Sequence, residues 1–239
     1  MRLLLTRPGE DGERSADLLR AHGHDVVCEP LLRIKARGGA TLDLSGAQGL
    51  LATSANGVRA VAGLAMAEAL ALPLYAVGDA TARAGREAGF AQVTSAGGDV
   101  NALAALVCER VDPAHGRLIH VAASTRAGDL KGVLTGHGYV VDIAVLYESE
   151  AVTALSRDTQ AKLQAGHFDA VLLYSPRTAR IYAGLVVAAD IRLPGDLMHA
   201  CLSPAVAEAL RALDLAPRQI AVARRPTQDE LIAVLSGAG

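Results

Sequence analysis

Thr53–Leu64 reads TSANGVRAVAGL, and Tyr174–Leu185 reads YSPRTARIYAGL. Each follows a short apolar run, GLLA before the first and AVLL before the second. Each opens on small or hydroxylated residues and continues with apolar positions at helical spacing. A buried strand delivering the chain to a capped helix start writes this pattern. Its recurrence points to duplication.

The repeat extends beyond the two phrases. Leu3–Val26 (LLLTRPGEDGERSADLLRAHGHDV) aligns without gaps on Leu118–Val141 (LIHVAASTRAGDLKGVLTGHGYVV), pairing Leu19 with Leu134, His22 with His137, Gly23 with Gly138 and Val26 with Val141. Both copies predict strand, helix, glycine stop, strand. VGDATARAGRE then matches LSPAVAEALRA, and DVNALAALV matches TQDELIAVL, in the same order. The runs LLLT, DVVCEP, GLLATS, LYAVG, RLIHVA, AVLLYS and HACLS read as buried strands alternating with amphipathic helices, the mark of an α/β protein with parallel sheets. The chain is thus a tandem X, Y, X, Y. Either each X folds with the Y that follows it, or the central Y and X form one domain and the ends form the other; periodicity leaves both open. CEPLLRIKARGG and DIAVLYESEAV are extended segments at the expected crossings, and the second arrangement would join the domains by two strands, a hinge over a cleft.

Length and composition bound the rest. At 239 residues the chain is long for one compact domain and suits two. Hydrophobic residues make up 51% and charged residues 20%, which excludes a disordered chain. The 23 basic and 25 acidic residues leave a formal charge of -2, and five Tyr, two Phe and no Trp offer few stacking platforms. No nucleic-acid partner is expected. Cys28, Cys108 and Cys201 lie far apart with no CxxC, and read as small buried residues of a reducing compartment. MRLLLTRP is too short an apolar run for a signal peptide, and the longest apolar stretch is interrupted by Glu68 and Pro73. The expectation is a soluble cytoplasmic protein with no membrane partner.

Small or hydroxylated residues recur where strands pass into helices: Thr53, Ser54 and Asn56; Gly78, Ala80 and Thr81; Ser175 and Thr178; Ser203 and Ala205. Ligands of open α/β sheets sit outside the carboxyl ends of the strands, and helix-start N–H groups bind anions. Ordinary N-capping calls for the same residue types. Four such turns in two equivalent blocks suggest anion-binding rims. GxGxxG, Walker A, GxSxG and HExxH are all missing from the sequence, and AGGDV at Ala96–Val100 reads as a tight turn. His22 and His137 stand at helix ends and suit dipole capping; His24, His115, His120, His167 and His199 form no ligand pair. Arg7, Arg126 and Arg177 follow strand ends, where solvation is the default and a carboxylate partner the alternative. Tyr147, in VLYES, lies on the second linker, where a phenol facing a cleft would donate a proton to a leaving hydroxyl and a packed strand tyrosine would not.

LLLTRP, TSANGVRA, LYAVGDATARAGREAGF, AGGDV, RLIHVAAS, VLYES, VLLYSPRTAR, CLSPAVAEAL and VARRPTQDELIAVL, taken together and in this order, resemble the uroporphyrinogen-III synthase family over essentially the whole chain. The resemblance implies two Rossmann/flavodoxin-like parallel-sheet domains joined by a two-stranded β linker. Residues 1–35 plus 152–239 would form one discontinuous α/β domain and 39–143 the inserted one, with linkers at about 30–38 and 144–151. It implies a monomeric enzyme without metal or organic cofactor, acting on the linear tetrapyrrole hydroxymethylbilane, with a transient contact with the preceding pathway enzyme as its macromolecular encounter. The product would be uroporphyrinogen III, formed by loss of water and inversion of the last ring through a spiro intermediate. A non-catalytic two-domain protein that binds or senses a tetrapyrrole or small anion is the alternative. Carried over by position, Tyr147 matches the linker tyrosine of the family, and Thr53, Ser54, Asn56, Gly78, Thr81, Ser175, Pro176, Thr178, Ser203, Pro226 and Thr227 fall on its cleft-lining motifs. Ser203 and Val206 stand where the family often has glycine and threonine, and Ser149 where threonine is common.

Overall fold

The structure is a computed structural model that describes residues 1–124 and 128–236. Its strands, in chain order, are β1 (Arg2–Leu5), β2 (Asp25–Cys28), β3 (Leu32–Ala36), β4 (Ala47–Ala52), β5 (Leu74–Ala76), β6 (Val93–Ser95), β7 (Arg117–Ala123), β8 (Val141–Ala151), β9 (Ala170–Leu173), β10 (Met198–Cys201) and β11 (Ile220–Val222). They form two sheets, ordered β11-β10-β9-β1-β2 and β3-β8-β7-β4-β5-β6. The chain divides into a terminal unit, 1–33 with 150–239, and a middle unit, 34–149. This is the exchanged arrangement, with the ends of the chain in one unit and its middle in the other. The two crossings run through β3 and β8, neighbours in the second sheet.

In the terminal unit all four strand pairings are parallel. Parallel strands need crossover helices, and covering both faces of the sheet makes the strands continuously apolar. Leu4, Val171, Leu173 and Cys201 pack on one face with Leu163, Tyr182, Val186 and Val206. Leu3, Leu5, Ala170, Leu172 and Ala200 pack on the other with Ala16, Leu19, Leu231 and Val234. Helix Pro176–Ala188 therefore covers the first face, and helices Gly9–Ala21 and Gln228–Leu235 cover the second. In the middle unit β4 pairs in parallel with β5 and β7. Leu50, Ala52, Ile119 and Val121 face helix Ala55–Ala62 and helix Asp79–Glu87. Leu51 and Leu118 face helix Val100–Arg110 and helix Leu130–Gly136.

The repeated glycine stops are the same device twice. Gly23 and Gly138 take φ of +80° and +86°. Beside them His24 N–H reaches the Leu19 carbonyl and Tyr139 N–H the Leu134 carbonyl, both at 3.1 Å. This is the reverse turn that satisfies the last carbonyls of a helix, and a side chain at that φ would be strained. His22 Nδ1 lies 2.8 Å from the Leu18 carbonyl, consistent with its helix-end position.

The cysteine expectation holds only for Cys201, which is buried, while Cys28 and Cys108 are exposed. Cys28 ends β2, an edge strand, and Cys108 lies on the outward side of its helix. No helix among the described residues is long and apolar enough to cross a membrane.

Two features of the terminal core give predictions. Gly12 is buried, and a Cβ there would collide with the Arg7 carbonyl oxygen, so the helix approaches the end of β1 as closely as it does because this residue has no side chain. Gly12→Ala is expected to cost roughly 1–3 kcal/mol through this collision, measured by urea unfolding; wild-type stability would mean the helix shifts freely. His199 is wholly buried, with Nε2 3.4 Å from Tyr182 Oη and Nδ1 3.3 Å from the Gln219 carbonyl. Burial pushes its pKa down to about 4. A histidine depressed in the folded state stays neutral while the unfolded chain takes up a proton, so stability falls as pH drops from about 6.5 toward 4 and loses nothing more from this group below that. The deficit reaches roughly 2 kcal/mol by pH 5. His199→Gln is expected to flatten the pH dependence of the urea midpoint; an unchanged slope would assign the dependence to other groups.

Candidate functional site

Neighbouring parallel strands whose following helices leave on opposite faces create an uncovered crevice at their carboxyl ends. In the terminal unit β1 and β9 are such a pair, because helix Gly9–Ala21 and helix Pro176–Ala188 lie on opposite faces. In the middle unit the pair is β4 and β7, followed by helix Ala55–Ala62 on one face and helix Leu130–Gly136 on the other. Both opening phrases of the sequence stand at these switch points.

At the middle switch point Ser54 caps its helix by accepting from Asn56 N–H at 3.1 Å, and Asn56 Oδ1 accepts from Arg59 at 3.2 Å. Thr53 Oγ1 lies 3.3 Å from Nε2 of His120, a buried side chain of β7. In the sequence His120 is hidden inside an apolar run; the β4–β7 register, Leu51 opposite His120, brings it to Thr53. Along the same rim Gly78 begins helix Asp79–Glu87 with no side-chain cap. Ser95 donates to Asp79 at 2.7 Å and accepts from Gly97 N–H at 3.1 Å, which makes AGGDV a tight turn. Thr81 is buried in the helix rather than set on the rim.

Tyr147 is only 6% exposed. A Cβ on Gly57 would stand 3.7 Å from Tyr147 Cε1 and 3.2 Å from the Val121 carbonyl oxygen, so the phenol ring packs beside the first turn of helix Ala55–Ala62. The sequence places Tyr147 on an extended segment; β8 is that segment, and it buries the ring inside the middle unit.

At the terminal switch point Ser175 accepts from Thr178 N–H at 3.1 Å, and the two hydroxyls lie 2.8 Å apart. Pro176 opens the helix, where its missing N–H costs nothing. Arg7, just beyond β1, places its guanidinium 4.8 Å from the centre of the Tyr174 ring and 3.4 Å from Asp11. Burial raises the Tyr174 phenol pKa. Tyr174 Oη is near Ser15 and Gln228, yet it and Gln228 Nε2 are both buried without a well-formed hydrogen bond. Farther along, Ser203 precedes a five-residue helix without using its hydroxyl as a cap, whereas Thr227, after the exposed Pro226, accepts from Glu230 N–H at 3.4 Å. Arg177 lies in the first turn of its helix; Arg126 lies outside the described residues.

The chain shows on itself how such a rim treats a carboxylate. Glu29, following β2, accepts from Ser156 N–H at 2.8 Å, Ser156 Oγ at 2.7 Å and Thr159 Oγ1 at 2.6 Å, at the start of helix Arg157–Gln164. Amide and hydroxyl donors at a helix start suffice for a tight carboxylate contact. Two hollows of about 360 and 400 Å³ lie beside Asp214, among residues 186–193 and 204–222, and none of the sequence-predicted site residues lines either. The strand-end rims, rather than these hollows, carry the polar groups suited to a ligand. Among the described residues no group of three or more His, Cys, Asp or Glu is placed to hold a metal.

Comparison with known proteins agrees with this architecture. No curated protein sequence matches the chain. Over the full length of both chains, the fold is similar to the crystal structure of uroporphyrinogen-III synthetase from Helicobacter pylori, at 14% identity and a TM-score of 0.69. It is also similar to a mutant uroporphyrinogen III synthase from the extremely thermophilic bacterium Thermus thermophilus, at 18% identity and a TM-score of 0.56 over 99% of each chain. Those identities speak for the fold. The family described as Uroporphyrinogen-III synthase HemD matches residues 13–233. Covering most of both units, that match makes the chain a member of the uroporphyrinogen-III synthase family, lyases of haem biosynthesis whose substrate is a tetrapyrrole.

Proposed function

We propose that this chain cyclises hydroxymethylbilane to uroporphyrinogen III by gripping the acetate and propionate arms of the linear tetrapyrrole at its strand-end rims. The observation that carries this reading is that polar switch-point rims occur in both units of a chain matched to the family almost from end to end. The terminal carbon–oxygen bond of the substrate breaks and its hydroxyl leaves with a proton as water. The resulting azafulvene carbon is attacked by the substituted carbon of the last pyrrole, and the spiro intermediate fragments and recloses with that ring inverted. Because the substrate also closes unaided to the uninverted isomer, the enzyme gains its selectivity by orientation, bringing the spiro contact about before direct closure. Backbone N–H groups at the helix start after Gly78 and the N–H of Ala205 after Ser203, where no side chain caps the helix, and hydroxyls at Thr53, Ser54, Ser175, Thr178 and Thr227 are the proposed grips, with Asn56, Pro176 and Pro226 shaping the same turns and Thr81 packed beneath them.

Tyr147 is the proposed proton donor to the departing hydroxyl. Its burial against Gly57 supports a phenol held in one orientation, the condition under which a positioned acid is effective. No metal or organic cofactor enters this scheme. By family resemblance the protein works as a monomer in the cytoplasm and meets the preceding pathway enzyme transiently.

The test is to generate hydroxymethylbilane in situ, add the purified protein, and separate the uroporphyrin isomers by chromatography after oxidation. Type III is expected to rise with protein concentration; type I alone at every concentration would overturn the reading. Tyr147→Phe is expected to keep the fold and substrate binding while lowering kcat roughly a hundredfold, the low end for loss of a general acid. Unchanged kcat would return Tyr147 to a packing role.

A further inference from the structure

We propose that Arg7 is a specificity-determining anchor for a substrate carboxylate on the terminal unit, at a position where the repeat places Ala122 in the middle unit. The proposal rests on the tetrapyrrole reading above and identifies one contact within it.

Position is the first support. Arg7 follows β1 at the switch point shared with β9, where ligands of open parallel sheets collect. Its backbone is fixed there from three sides. Thr6 Oγ1 donates to the Leu172 carbonyl at 2.8 Å and ties the end of β1 to β9. Pro8 follows directly, and Gly12 brings helix Gly9–Ala21 against the Arg7 carbonyl.

The side chain is held but not saturated. Its guanidinium lies over the Tyr174 ring at 4.8 Å, a stacking arrangement that orients the planar group. Asp11 approaches Nη2 at 3.4 Å, longer than the roughly 2.7–2.9 Å of a full charge-assisted bond. A guanidinium carries about five N–H donors, so donors remain for a second carboxylate. Its side chain keeps 22% exposure, enough to meet a ligand. Nearby, Tyr174 Oη and Gln228 Nε2 are buried close to one another without a well-formed hydrogen bond.

Internal comparison supplies the asymmetry. The gapless repeat alignment sets Ala122 opposite Arg7, and the repeated phrase sets Thr53 opposite Tyr174. Among the described residues, the terminal switch point thus carries a cation on an aromatic platform, where the aligned positions of the middle one are Ala122 and Thr53, the latter beside His120. The two switch points are therefore chemically different.

Steady-state kinetics on the full chain with in-situ hydroxymethylbilane test this. Arg7→Gln is expected to raise KM about tenfold, the scale of one charge-assisted bond, with kcat changed less than KM, and to weaken the salt dependence of KM. Arg7→Lys, which keeps the charge and loses the planar fork, is expected to fall between. Asp11→Asn removes the competing carboxylate and is expected to lower KM, an effect that no purely structural ion pair would produce. A folded Arg7→Gln with wild-type KM, or an Asp11→Asn whose KM does not fall, overturns the proposal. If wild-type protein yields only type I isomer, the catalytic reading fails by itself. Uroporphyrin III binding to wild type and the Arg7 and Asp11 variants then decides the anchor: weaker binding by Arg7→Gln supports it, and equal binding overturns it.

Discussion

Parallel pairing of β1 with β9, and of β4 with β7, is the constraint on which the rest depends. A parallel pair demands a crossover after each strand, and here the two crossovers of each pair leave for opposite faces of the sheet. The carboxyl ends between them are left without a covering helix. The backbone amides of the helix starts, the capping hydroxyls and Arg7 all take their places from that geometry. The topology leaves these ends open, and the side chains found there set their polarity.

Several of those side chains have structural work as well. Ser54, Ser175 and Thr227 each cap a helix, and capping with its own side chain satisfies an N–H that a ligand would otherwise meet. Gly78 and Ser203 leave their helix starts uncapped. The rims are therefore uneven, with some turns capped by a side chain and others not; at Ser203 the following Pro204 has no N–H and Val206 N–H bonds back to the Ser203 carbonyl. Glu29, gripped by Ser156 and Thr159, shows that even an already hydroxylated helix start accommodates a carboxylate when the approach is right.

The strand and helix alternation was legible because parallel strands buried on both faces must be apolar, and because Gly23 and Gly138 stop two helices at a φ that disfavours other residues. The repeat reported two equivalent switch points, yet periodicity was neutral between consecutive and exchanged domains; the family resemblance favoured the exchange that the contacts display. At the site, residue types near strand ends were readable, and what they touch was not. Thr53 meets His120 through a register set across β4 and β7, and Arg7 meets Tyr174 across β1 and β9. Thr81 resembles a rim residue because it follows Gly78 closely, but its place in the helix turns it inward. Cys28 and Cys108 are exposed because composition says nothing about which strand lies at an edge or which side of a helix faces out.

The discontinuity of the terminal unit has a consequence for the order in which the protein is made. β1 lies inside its sheet, yet its partner β9 arrives so late that the Arg2 N–H and Asp169 carboxylate bonded at 2.7 Å are 167 residues apart. On the ribosome the middle unit has all of its strands before β9 exists. Until then Leu3, Leu4 and Leu5 have only β2 and the first helix as native partners, and one strand edge remains open. Such an edge is the element of a nascent chain most prone to pair with the wrong neighbour. β1, made before every other strand of these two sheets, is thus among the last to be fully enclosed.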